Sequence, residues 1–318
     1  MLHRFFLLLF ILFMGCTPEY LVASYNTIRY ENIVVSTKDD ITAIEFLDQR
    51  TGFIGTSNGK LFKTSNQGIS WISATNPTAG VINAITFVSS SVGFVGTSKG
   101  LFKTINAGAS WVLVDQNPVV SISFPSPNIG YAVSQNDYYI KTNDGGDYWT
   151  EGYYQSFPYI FSFSNNLHAI SFKDDQNGFI VGTSESIYKT NNGGISWSLV
   201  SEGTPLKTNN DCGSIGSLNF AVGTAGSLKR SVDKLSFDQV VEEFDFELLA
   251  VDFYNNIGVT VGENSIILGD LGSTSNWHYF YALDGSTIPH YYLDVSFVTQ
   301  DTFIAVGKDG IISKFKLP

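Results

Sequence analysis

Lys63-Thr-Ser-Asn-Gln-Gly-Ile-Ser-Trp71 returns as Lys103-Thr-Ile-Asn-Ala-Gly-Ala-Ser-Trp111, then as Lys141-Thr-Asn-Asp-Gly-Gly-Asp-Tyr-Trp149, and again as Lys189-Thr-Asn-Asn-Gly-Gly-Ile-Ser-Trp197. The tryptophans are 40, 38 and 48 residues apart. A worn copy follows, Lys229-Arg-Ser-Val-Asp-Lys-Leu-Ser-Phe237, and after that only Trp277 remains. A second phrase precedes the copies: Ala43-Ile-Glu-Phe46, Ala84-Ile-Thr-Phe87, Ser121-Ile-Ser-Phe124, Ala169-Ile-Ser-Phe172, Ala250-Val-Asp-Phe253 and Asp294-Val-Ser-Phe297. Between the two phrases sits a glycine, aromatic, apolar stretch such as Gly52-Phe-Ile-Gly55. A fixed period near 40 marks a repeat architecture.

Within each unit, apolar and polar residues alternate over short runs bounded by Gly, Asn, Ser and Asp, which is strand period with turn chemistry. Four short strands fit each unit, and the pattern offers no helix beyond the N-terminal segment. The expectation is an all-β chain: a seven-bladed β-propeller of four-stranded antiparallel blades. The last unit has strands near Leu293–Val298, Phe303–Gly307 and Ile311–Lys316 and then runs out of chain. Thr27–Val35 has strand character and no unit of its own, so it can supply the missing fourth strand and seal an edge that would otherwise expose unpaired backbone.

The repeated phrase has a local physical reading. Asn66, Asn106, Asp144 and Asn192 can accept hydrogen bonds from turn amides. Gly68, Gly108, Gly146 and Gly194 can take positive φ without a Cβ clash. Trp71, Trp111, Trp149 and Trp197 can bury their rings between neighbouring blades. These residues recur once per blade on outer hairpins and do not converge, so they read as structure and not as a metal or sugar site. The lysine that opens each phrase (Lys63, Lys103, Lys141, Lys189, Lys229) reads as a solvated edge position. Its alternative is a shallow basic ring that touches anionic headgroups or an acidic partner.

Thr-x-Asn/Asp-x-Gly-x-x-Trp matches the Asp box, or bacterial neuraminidase repeat. Among Asp-box propellers the chain most resembles the photosystem II stability/assembly factor family, on its Gly-Phe-x-x-Gly strand, its Lys-Thr-x-x-Gly-Gly-x-Ser-Trp phrase and its length. The resemblance covers roughly residues 25–318. It implies a seven-bladed propeller that binds other proteins and helps assemble them without catalysis. Plant and cyanobacterial members use an Arg-rich patch, whereas beyond Arg4 this chain has only Arg29, Arg50 and Arg230. The photosynthetic role therefore does not carry over.

The N-terminus reads as an address. Arg4 precedes the apolar run Phe5–Phe13, which at about nine residues is too short to span a bilayer core of roughly 30 Å. Met14-Gly15-Cys16 ends it in a form that resembles a bacterial lipobox, with cleavage before Cys16 and lipid on its sulfur. The expected organisation is residues 1–15 as lipoprotein signal peptide, 16–26 as anchor and linker, and 27–318 as the propeller. The expected location is the bacterial cell envelope, at the outer membrane.

Composition narrows the function. The net charge is −11, charged residues make up 15 % against roughly 25 % in an average domain, and aromatics reach 14 %. Few arginines and an acidic balance argue against nucleic acid. The two cysteines lie far apart, and Cys212 reads as a small buried hydrophobe. Sialidases share the Asp box, but their chemistry needs three arginines gathered around a carboxylate. Here Arg29 falls in the closing strand, Arg50 in a loop and Arg230 in an outer hairpin. No phosphate loop, zinc motif or EF-hand pattern appears, and no cofactor or metal is expected.

Two connections between blades are long and aromatic. Glu151–Asn166 holds Tyr153, Tyr154, Phe157, Tyr159 and Phe161; His278–Tyr292 holds Tyr279, Tyr281, His290 and Tyr291. Both are expected on the face opposite the Asp boxes, where loops carry function and tyrosine favours protein contacts. The alternative is that these aromatics cover blade edges or continue the last strand. The sequence thus reads as a non-catalytic, lipid-anchored envelope propeller that binds envelope proteins of unspecified identity as an interaction or assembly scaffold. The competing reading is a glycan-binding or sialidase-like propeller, which convergent carboxylates and arginines at the channel mouth would favour.

Overall fold

A computed structural model describes residues 27–317, except 78–79, 135–137, 152–165, 202, 204–205, 233–236, 241–245, 271–275 and 283–284. Seven antiparallel sheets follow one another around a central channel. We number them by the order of their innermost strands: Ile41–Phe46 (blade 1), Ile82–Phe87 (2), Ser121–Ser123 (3), Leu167–Phe172 (4), Asn209–Ile215 (5), Leu248–Tyr254 (6) and Tyr292–Thr299 (7). Blades 1 to 6 each add three more strands from the sequence that follows, hydrogen-bonded in chain order.

Blade 7 is made from both ends of the chain. Its inner three strands are Tyr292–Thr299, Thr302–Gly307 and Ile312–Lys316; its outer strand is Thr27–Asn32, antiparallel to Ile312–Lys316 with Arg29 opposite Lys316. The ring is sealed as the sequence indicated. The seal has an extra element: Tyr281–Ala282 pairs in parallel with Thr27 and Ile28.

The core lies between the sheets. Seven clusters of buried apolar residues occupy the seven seams, for example Phe94, Leu101, Val119, Ala132, Ile140 and Trp149 between blades 2 and 3. The second repeated phrase is explained here. Its Phe stacks on the second-strand aromatic of the preceding blade: Phe87 on Phe53 at 5.0 Å, Phe124 on Phe94 at 4.6 Å, and Phe172 on Tyr131 at 3.6 Å. The Asp-box Trp then meets that Phe edge-on, as Trp149 does Phe124 at 5.9 Å and Trp197 does Phe172 at 5.8 Å. Each such pair adds about 1 kcal/mol beyond its buried area. Trp71, Trp149 and Trp197 are buried, while Trp111 is half-buried and donates its Nε1–H to the Thr75 carbonyl of blade 1 at 3.0 Å.

Candidate functional site

The four complete Asp boxes share one hydrogen-bond scheme. The Thr142 hydroxyl accepts the Gly146 N–H at 2.8 Å and donates to Asp144 Oδ1 at 2.8 Å, and Asp144 Oδ1 accepts the Tyr148 N–H at 3.0 Å. Thr64, Thr104 and Thr190 repeat this with Asn66, Asn106 and Asn192. These turn amides hold the Asp144 carboxyl below the usual carboxylate range. The box glycines have φ between +75° and +80°, and a Cβ on Gly146 would strike the Phe94 ring of blade 2. The box polar groups are therefore engaged in building the hairpin.

The box lysines are neither solvated nor a basic ring. Lys63 Nζ donates to the Ala107 carbonyl of the next box at 3.3 Å, Lys103 to Gly145 at 2.7 Å and Lys141 to Gly193 at 2.9 Å. Lys314 of blade 7 completes the pattern by reaching Gln67 of blade 1 at 3.1 Å. Each of Lys63, Lys103, Lys141 and Lys189 also lies over the aromatic residue of its own second strand, at 5.0–5.7 Å. The lysines are clasps between blades. In blade 5 the equivalent position is Arg230, paired with Phe220 as Lys63 is with Phe53; Lys229 sits one residue earlier and forms an ion pair with Glu185 at 3.0 Å. The worn box is one residue short, so aligning it from its first lysine misplaces the register.

The inner strands enclose a polar channel with a cavity of ≈ 420 Å³. Glu45, Asp211, Asp252 and Asp294 line it, with His168 and the buried Cys212, and no Lys or Arg is among the lining residues. Three of these carboxylates clamp the next blade. Asp211 Oδ2 accepts the Val251 N–H at 2.9 Å, Asp252 Oδ2 the Phe297 N–H at 2.7 Å, and Asp294 Oδ2 the Ile44 N–H at 2.8 Å. Ser121 and Ser123 do the same between blades 3 and 4 with neutral hydroxyls, and Ser296 does so beside Asp294 at the seam of blades 7 and 1. Burial pushes Asp211 and Asp252 up to about 6 and Asp294 up to about 8, and it raises Glu45 as well, helped by Asp252 and Asp294. Burial also lowers His168. Among the described residues no group of three or more His, Cys, Asp or Glu side chains is placed to hold a metal ion.

The sequence offers Asp294 as a candidate carboxylate but does not mark the four acids as a ring. The available signal was Asp in the inner-strand phrase where other blades carry Ala, Ser or Thr.

Cys16, Tyr153, Tyr154, Phe157, Tyr159 and Phe161 lie outside the described residues. The segment that holds the five aromatics leaves blade 3 after Thr150–Glu151 and returns at Leu167–Phe172, and Asn166 accepts the Thr183 N–H on the face opposite the boxes. The second aromatic connection is more structured than a free loop. Tyr279 ends the outer strand of blade 6 and donates its hydroxyl to the Asn264 carbonyl; Tyr281 pairs with Thr27 and meets the Tyr279 ring at 4.8 Å. Tyr291 donates to Glu247 at 2.7 Å, which with burial pushes its hydroxyl up to about 12, and Lys308 Nζ sits 3.6 Å over its ring. His290 packs edge-on to Tyr30 and Tyr292. The structure thus gathers Tyr279, Tyr281, His290 and Tyr291 at the junction of blades 6 and 7. Arg29, Arg50 and Arg230 stay apart: Arg29 is in the closing strand, Arg50 in the first turn of blade 1, and Arg230 in the third strand of blade 5.

The model of the Photosynthesis system II assembly factor YCF48 family matches residues 112–201, from the outer strand of blade 2 to the outer strand of blade 4. In fold and in its repeats, the chain is similar to these assembly factors. A structure of YCF48 bound to D1 peptide superposes with a TM-score of 0.71 at 15 % identity, over 93 % of this chain and 100 % of that one. YCF48 from Cyanidioschyzon merolae gives 0.70 at 15 %, over 90 % and 98 %. An ancestral GH74 enzyme gives 0.70 at 15 %, over 89 % of this chain and 45 % of that one, so the fold also occurs in enzymes. No curated protein matches.

Proposed function

We propose that the chain is a non-catalytic protein-interaction scaffold of the cell envelope, anchored through lipid on Cys16, that captures segments of envelope proteins on the face opposite its Asp boxes. The observation that carries this reading is the shared seven-bladed Asp-box architecture with a family of assembly factors, one of which is a propeller solved with a bound peptide. The geometry supports it. Three of the four channel carboxylates that would serve a glycosidase are spent on backbone amides of neighbouring blades, and no arginine lines the channel. The box polar atoms are spent on their own turns. The opposite face offers the Tyr279 to Tyr291 junction for recognition.

The test is affinity capture from gently solubilised native envelopes, comparing the wild type with a Tyr153→Ala, Tyr154→Ala, Tyr159→Ala variant. A stoichiometric protein partner, lost in the variant at unchanged melting temperature, is the expected result. Retention on a glycan array with no protein partner would overturn it in favour of the sugar-binding reading.

A further inference from the structure

The Asp-box face carries a recurring feature that folding does not use. Ile69, Ile105, Tyr148 and Ile195, one on the box hairpin of each of blades 1 to 4, are 59 %, 71 %, 69 % and 74 % exposed. At the adjoining rim of blades 1 and 2, Ile72 and Val112 are also exposed, 69 % and 66 %. Val34 and Leu206, exposed elsewhere, stand singly. Scattered apolar side chains need no explanation, but these repeat on one face.

The chain enters the ring on that same face. Glu31 pairs with Lys314 as Ile72 pairs with Lys63, and both lysines reach the next box. Tyr30 therefore holds the place of an Asp-box Trp, stacked on Phe315 at 5.3 Å. Thr27 to Arg29 stand where blades 1 to 4 carry the box turn. Ten residues lie between Cys16 and Thr27, a reach of roughly 40 Å when extended. That is long enough to leave the orientation of the propeller open and short enough to keep it at the surface.

We infer that the Asp-box face of blades 1 to 4 lies against the lipid surface, with Ile69, Ile105, Tyr148 and Ile195 entering its interfacial layer. This rests on the anchored reading given above. The contact is apolar, since Lys63, Lys103, Lys141 and Lys314 are drawn into inter-blade bonds, Lys316 pairs with Asp301, and Asp48, Asp147 and Asp174 share the face. A neutral lipid surface fits it, and an anionic one would be repelled. The opposite face then points away from the membrane, toward a partner.

The test separates face from anchor. The chain beginning at Cys16 is coupled through that thiol to maleimide lipid in phosphatidylcholine vesicles; Cys212 is buried and spared. A benzophenone amino acid replaces Ile69 or Ile195 on the box face, or Asn58 or Asp309 on the other. Lipid adducts at 69 and 195 at least fivefold above those at 58 and 309, unchanged in 0.5 M salt, are expected. Equal or reversed yields overturn the inference. Palmitate labelling of the full chain in cells, lost in Cys16→Ala, tests the anchor; no labelling sinks the lipoprotein reading, while the vesicle result still judges the face.

Discussion

The Asp294 carboxylate of blade 7 accepts the Ile44 N–H of blade 1 at 2.8 Å, across the seam next to the one the closing strand helps to cover. A carboxyl group thus serves where Ser121 and Ser123 use hydroxyls, in a channel wall that already holds Glu45, Asp211 and Asp252.

That arrangement fixes the sign of the pH dependence. Asp211 and Asp252 at about 6 and Asp294 at about 8 lie above their value in the unfolded chain. The folded state binds more protons than the unfolded one across that interval, so stability is greatest on the acid side and falls as pH rises. The melting temperature is expected to peak near pH 4–5 and decline toward pH 9. Below the peak, exposed carboxylates with lowered values, such as Asp48 and Asp144, take over and stability drops again. Asp294→Asn should flatten the decline between about pH 6 and 9. A melting curve that rises from pH 5 to 8 would contradict the acid ring.

Gly146→Ala should cost about 3 kcal/mol, because the residue needs φ of +79° and its Cβ would meet the Phe94 ring. Denaturant titration reads this directly. An equal substitution at Gly216, which has positive φ and open space around it, should cost only the backbone strain.

Lys103→Met separates the clasp from a basic ring. It removes the bonds to Gly145 and Asp147 and the ammonium over the Phe94 ring while keeping an apolar stem of similar length. A loss of roughly 1–2 kcal/mol of stability is expected, with no change in binding to anionic vesicles. Reduced vesicle binding at unchanged stability would restore the ring.

Removing residues up to Asn32 should leave the Ile312–Lys316 edge unpaired and uncover Phe315, which is fully buried by Tyr30 and its neighbours. Exposed edges template association. Concentration-dependent oligomers in light scattering are expected, and a monomer of native stability would refute the seal.

Most of the architecture was legible because one blade supplies one period, and because Thr27–Val35 had strand pattern without a unit of its own. The box turn was legible for the same local reason: Thr142, Asp144 and Gly146 act within five residues. What escaped was everything that depends on the neighbouring blade. The reach of Lys63 to Ala107 follows from the twist of the outer strands, and the grip of Asp252 on Phe297 follows from inner-strand register after the bulge between Leu248 and Ala250. In blade 5 the one-residue deletion in the box hid the exchange of Arg230 for the clasping lysine. The Tyr281 pairing with Thr27 joins residues far apart in sequence, which no local pattern announces.

The last blade is assembled from the first and the last of the described strands, so it cannot form until Ile312–Lys316 has been made. Thr27–Asn32 is made before every other described strand, yet its partner Ile312–Lys316 is made after all of them. Through that interval six sheets can form while the first strand waits. Such a long-range closure is slow to find, and unpaired edges are vulnerable in the meantime. Holding that early strand near a surface, away from the edges of other copies, would protect the chain during the only stage at which its ring is open.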